Sequence, residues 1–183
     1  MKKKILISVL VLVVALVAYL AYSVNKSSKL SPRGTATFNA QGLEMKVEYG
    51  RPSKRGRLIF GEEKDKALQP YGKYWRLGAN AATEITFSQN VTFGGKAVNA
   101  GTYRMYAVPN LQTWQVVLNS EVGVYFGAAE PNHDLDVVTI EVPVTLVPVE
   151  TERLTIDFAT DTTNILMNIM WDKVIVRVPI ALQ

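Results

Sequence analysis

The chain has 183 residues, with twenty Lys and Arg, sixteen Asp and Glu, one His and no Cys. Without thiols there are no disulfides, thiol nucleophiles, iron–sulfur clusters or lipoprotein acylation, and one His rules out the usual zinc sets and a two-His–one-carboxylate iron site within one chain. The formal charge of +4 is not a nucleic-acid signal, because six basic side chains lie at or before Arg33 and the remaining fourteen face sixteen acids.

Residues 5–22, "ILISVLVLVVALVAYLAY", form an uncharged apolar run behind three lysines. At about 1.5 Å per residue the run spans roughly 27 Å, close to the ~30 Å hydrocarbon core. It exceeds the ~7–15 residues of a secretory h-region and ends in Tyr19 and Tyr22, residues suited to a membrane interface. An uncleaved anchor over residues 1–23 is the expectation, and Ala21-Tyr22-Ser23 would serve as a cleavage site if the segment is a signal peptide instead. The lipid bilayer is then a partner through residues 5–22. The short basic tail favours a cytoplasmic N-terminus and a domain facing the periplasm or exterior. Residues 24–34, "VNKSSKLSPRG", read as a polar tether.

From about Thr35 to residue 183 the pattern is β. "LEMKVEYG" (43–50) and "TEITFS" (83–88) alternate apolar with polar residues. "VTFGGKAV" (91–98) carries a Gly-Gly hairpin signal, and residues 99–109 and 113–119 make a further pair joined through Pro109-Asn110. Four runs follow at 136–147, 153–160, 164–171 and 173–180, with Pro143 and Pro179 expected at an edge, bulge or strand end. No run of ten residues in the domain has a helical period. The predicted fold is all-β, an antiparallel β-sandwich or jelly-roll-like domain preceded by one transmembrane helix.

Catalytic motifs are scarce. There is no Gly-x-Ser-x-Gly elbow, and the glycine pairs fall at strand turns rather than before a helix. His133-Asp134 with Asp136 offers at best one mixed site, against the alternative of a polar turn. No cofactor, metal or catalytic residue is assigned.

The remaining chemistry lies in "YGRPSKRGRLIFG" (49–61) and "YGKYWRLGANAATEITF" (71–87). Arginine forks bind carboxylates and phosphates, and Trp and Tyr offer flat faces for sugars or cations. Arg57, Tyr71, Trp75, Arg76, Asn80 and Glu84 are therefore the candidate ligand-binding set, for a small molecule, a glycan or a protein partner. A hydrolase or lyase using Arg76 and Glu84 is a rival reading. A scaffold is the third: Trp75 anchors the core, Arg76 pairs with Glu84 or another acid, and Asn80 caps a turn.

These stretches carry a resemblance. The pattern Arg-Pro…Gly-Arg-x-Ile-Phe-Gly, then Tyr-Gly-x-x-Trp-Arg-x-Gly-Ala-Asn-x-Ala-Thr, then Gly-x-Tyr, is similar to the bacterial "domain of unknown function 2911" family, found largely in Bacteroidota. The likeness runs over about residues 36–180. It implies a secreted or membrane-tethered β-rich envelope domain with no assigned reaction, and marks Arg57, Trp75, Arg76, Asn80 and Thr83 as matched positions.

Overall fold

The computed structural model describes residues 2–40, 42–125, 127–161 and 165–183. Met1 of the expected anchor and Asn164 of the expected 164–171 strand lie outside the described residues. A helix, α1 (Lys2–Leu30), precedes eleven described strands: β1 (Arg33–Ala40), β2 (Leu43–Gly50), β3 (Phe60–Gly61), β4 (Gln69–Pro70), β5 (Thr83–Phe87), β6 (Val91–Phe93), β7 (Lys96–Val98), β8 (Gly101–Pro109), β9 (Thr113–Asn119), β10 (Asp136–Thr160) and β11 (Ile165–Leu182). The domain is antiparallel β apart from the short parallel pair β3–β4.

α1 is long and apolar enough to cross a membrane or to serve as a signal sequence, and none of its apolar window is buried against the domain. Residues 24–30, read as tether, continue the helix. The Ser and Lys residues there are compatible with helix once the preceding turns have met the cost of nucleation.

The nine-stranded sheet has the order β1-β2-β5-β8-β9-β10-β11-β6-β7. The four C-terminal runs fuse into two long strands. β10 pairs with β9 from Asp136 to Pro143 and with β11 from Val144 to Thr160, so one strand belongs to two layers. The switch comes at Pro143, which has no N–H to give to a ladder. Pro179 lies between the stretch of β11 paired with β10 and the three residues paired with β6. Asp172, at φ 56°, marks the irregularity in β11 opposite Thr151.

The sheet curls back on itself. Leu154 N donates to Pro52 O (3.0 Å) and Lys54 N to Glu152 O (2.7 Å). Tyr49 stitches the same seam, its hydroxyl accepting from Ile156 N at 2.7 Å. One continuous apolar core fills the interior, fed by alternate residues of β2, β5, β8, β9, β10 and β11. Its centre joins Phe60 to all three tryptophans: Trp75 stacks on Trp171 (5.8 Å between centroids) and meets Trp114 edge-on (5.5 Å). Such pairs add about 0.5–1.5 kcal/mol each beyond their area.

Candidate functional site

The most irregular stretch of the sheet is set by two pairings on one strand. Trp75 exchanges both backbone hydrogen bonds with Ala107 of β8 (2.8 Å each), and Thr83 pairs with Met105, two residues away on β8. Residues 76–82 therefore have no room in the ladder and leave the sheet as a loop. Leu77 (φ 51°) and Asn80 (φ 66°) take the left-handed conformation that turns the chain out and back. Thr83 Oγ1 closes the loop by donating to Leu77 O at 3.0 Å. The loop crosses the end of β2 so closely that a Cβ on Gly50 would stand 2.0 Å from Ala79 O, and only glycine fits.

The loop receives the C-terminal end of α1. Ser27 Oγ donates to Asn80 Oδ1 at 2.5 Å, and Asn80 Nδ2 donates to Ser31 O at 3.4 Å. Arg55 Nη2 donates to Leu30 O at 2.9 Å. Carbonyls without partners at a helix end need such donors, and here the domain supplies them.

Three cavities border this junction, and two of them have charged side chains in their walls. The larger of these two, about 380 Å³, is lined by Ser28, Ser31, Arg33, Asn80, Ala81, Ala82, Glu84, Gly123, Val124 and Tyr125. The smaller, about 240 Å³, gathers Arg55, Arg57 and Arg76 with Ser27, Leu30, Leu68, Gln69 and Trp171 among its walls, and no carboxylate lines it. Arg57 is held by Lys54 O (Nε, 2.9 Å) and Ser53 O (Nη2, 2.6 Å), and Arg76 by Asn80 O (Nη1, 3.3 Å).

The six residues expected as one ligand set are thus divided. Asn80 and Glu84 line the larger cavity, and Arg57 and Arg76 the smaller. Trp75 is 2% exposed, its ring enclosed by Phe60, Trp114 and Trp171 and its indole N–H buried without a partner. Tyr71 is half-buried against the core edge, and burial pushes its hydroxyl pKa up. Arg76 and Glu84, the pair of the hydrolase or lyase reading, form no ion pair and line different cavities. Glu84 Oε1 instead accepts from Gly123 N at 2.6 Å.

A second polar cluster was not apparent from the sequence. Arg104 of β8 is 1% exposed and donates to Glu121 Oε2 (2.6 Å), Tyr74 Oη (2.7 Å) and Ala129 O (2.6 Å). Two residues on, Tyr106 Oη donates to Asp136 Oδ2 (2.8 Å) and lies 3.0 Å from His133 Nδ1. Asn119 links the halves, donating to Asp136 Oδ1 and accepting from Glu121 N (2.8 Å each). Burial raises the Tyr74 pKa while Arg104 opposes the rise; burial and then Asp136 raise that of Tyr106. His133 lies in a short turn capped by Asn132, in line with the polar-turn alternative, and its pKa is raised first by the hydrogen bond to Asp136 and then by Glu130. Among the described residues no group of three His, Asp or Glu side chains is placed to hold a metal.

These features define a class: an antiparallel β-domain with an N-terminal apolar helix docked on a loop that leaves the sheet at Trp75. The chain belongs to the family described as "Protein of unknown function (DUF2911)", whose profile matches residues 31–180. No curated protein and no solved structure matches it.

Proposed function

We propose that the chain is a membrane-anchored domain that binds a small polar ligand of monosaccharide size in the larger cavity beside α1. The observation that carries this reading is the convergence of Glu84, Asn80, Arg33, Ser28 and Ser31 on about 380 Å³. That volume falls within the range of small-ligand sites, about 300–1,000 Å³. The Gly123 N–H holds one oxygen of Glu84 in place, and the carboxylate makes no other hydrogen bond among the described residues. Its remaining acceptor capacity is open to a ligand. A carboxylate and a guanidinium around partly apolar walls suit a hydroxylated ring that carries an amino group, while the Asn80 amide is taken up by Ser27 and Ser31. α1 spans the bilayer, with the domain at the periplasmic or outer face, and so holds the cavity close to the membrane surface.

Calorimetry on the full chain in micelles, with glucose, glucosamine and N-acetylglucosamine as probes, tests this. Saturable glucosamine binding that weakens about tenfold in Glu84→Gln, the loss of roughly 1.4 kcal/mol, is expected. Absence of saturable binding by any of the three sugars, or binding indifferent to Glu84→Gln, overturns the reading.

A further inference from the structure

The smaller cavity has a different chemistry. Arg55, Arg57 and Arg76 converge on it, and among the described residues none of the three is paired with a carboxylate. Acids do approach from β10 and β11, but each is engaged. Glu150 and Asp172 hold Lys54 (2.6 and 2.7 Å), and Glu152 Oε1 accepts from the Arg55 backbone N–H. A guanidinium has five N–H donors. Backbone carbonyls take one from Arg55, two from Arg57 and one from Arg76. These bonds fix the forks in place and leave most of their donors for an anion, the arrangement that recognises phosphate oxygens.

Position and surroundings select the source of the phosphate. With Tyr22 at the hydrocarbon edge, the wall residues Ser27 to Ser31 stand about 7–13 Å beyond it, from the outer margin of a headgroup layer roughly 5–8 Å deep to about 5 Å past it. Leu30 and Leu68 line the cavity while 40% and 37% exposed, and Leu58, next to Arg57, is 47% exposed. Leucines beside a ring of arginines suit a molecule with an apolar part joined to its phosphate. Lys26 and Lys29 on the last turns of α1 add charge that draws an anionic surface closer.

We propose that Arg55, Arg57 and Arg76 bind the phosphate of a phospholipid headgroup from the membrane that α1 spans, seating the domain on the bilayer. The proposal rests on the reading of α1 as an uncleaved anchor and is independent of the sugar cavity.

Native mass spectrometry of the full chain, released from micelles doped with phosphatidylglycerol or with phosphate-free diacylglycerol, tests both points in one spectrum. The expected result is an intact chain carrying one phosphatidylglycerol and no diacylglycerol. Retention should fall roughly tenfold or more in Arg57→Gln/Arg76→Gln, about 1.4 kcal/mol or more, and be largely kept in Arg57→Lys/Arg76→Lys, which preserves the charge. Equal retention in wild type and the Gln variant overturns the lipid site. So does retention of inorganic phosphate in place of lipid when both are supplied. A chain mass lacking residues 1–23 overturns the anchor instead, and an intact chain without lipid overturns the site alone.

Discussion

The two polar regions of this domain treat arginine in opposite ways. Arg104 is enclosed, salt-bridged to Glu121 and bonded to Tyr74 and Ala129, with no cavity beside it among those described. Among the described residues the side chains of Arg55, Arg57 and Arg76 bond only to backbone carbonyls, and they surround a cavity with no carboxylate in its walls. A charge desolvated among its partners is committed to the fold: both Nη atoms of Arg104 are bonded, its Nε is buried without a partner, and its loss would leave other groups unpaired. Charges held in place but not neutralised retain their capacity for a ligand. Sequence adjacency says little about this: Trp75 and Arg76 are neighbours, yet one is in the core and the other at the rim of a cavity.

The sharpest way to break the contrast is at Arg104. Arg104→Ala empties a buried site and leaves Tyr74 Oη and Ala129 O without their donor, at an expected cost of about 2–5 kcal/mol, measured by denaturant or thermal unfolding of the full chain in micelles. Arg57→Gln/Arg76→Gln, by contrast, is expected to stay within about 0.5 kcal/mol of wild type, as surface substitutions do. Arg104→Met sharpens the comparison further. It fills the same space without the charge and leaves Glu121 its 39% exposed side chain to hydrate, so it should be markedly milder than Arg104→Ala. If Arg104→Ala proves as mild as the double Gln variant, the enclosed network contributes nothing net and the distinction fails.

The fold was legible where period-2 alternation is strong: 43–50, 83–87, 91–98 and 113–119 are strands within a residue or so of expectation, and Gly94-Gly95 is the hairpin turn. The fusion of four C-terminal runs into β10 and β11 was not legible, because prolines and a left-handed Asp172 look like strand ends when a strand in fact bends between two layers. The candidate site was half legible. Residue types marked Arg57, Arg76, Asn80 and Glu84, but their separation into two cavities depends on the pairing of Trp75 and Thr83 with the same strand, a long-range fact. The Arg104 network was hidden for a related reason. Residues 104–107 are buried on both faces because the segment after β9 covers the outer one, and alternation alone predicts that face to be solvated.

Asn80 lines the larger cavity, accepts from Arg76 of the smaller through its carbonyl and holds the end of α1, so a subtler change probes the junction. Asn80→Gly keeps the left-handed backbone at φ 66° and removes only the amide that holds Ser27 and Ser31. It is expected to raise amide exchange over residues 27–31 by about tenfold, equivalent to roughly 1.4 kcal/mol, without moving exchange in β8 and β9. Asn80→Ala should add about 1 kcal/mol of global destabilisation, since a Cβ-bearing residue without a local polar group is strained there. Unchanged exchange at residues 27–31 in Asn80→Gly would mean that the helix end is not held by the loop.

The smallest expected effect separates the enclosed cluster from its exposed margin. His133 Nδ1 lies 3.3 Å from Asp136 Oδ2 and Nε2 lies 3.5 Å from Glu130 Oε2, and the side chain is 55% exposed. Its folded pKa is raised, by Asp136 first, so the protonated ring favours the folded state. The resulting stability is fully present below the ordinary histidine value of about 6.5 and is lost as pH rises through the higher folded value. Solvent screening limits it to below about 1 kcal/mol. In thermal unfolding of wild type against His133→Gln, the wild-type advantage should therefore be largest in mildly acidic buffer and should shrink as the ring deprotonates. An advantage that grows with pH would reverse the assignment and make the neutral ring, accepting from Tyr106, the form the fold prefers.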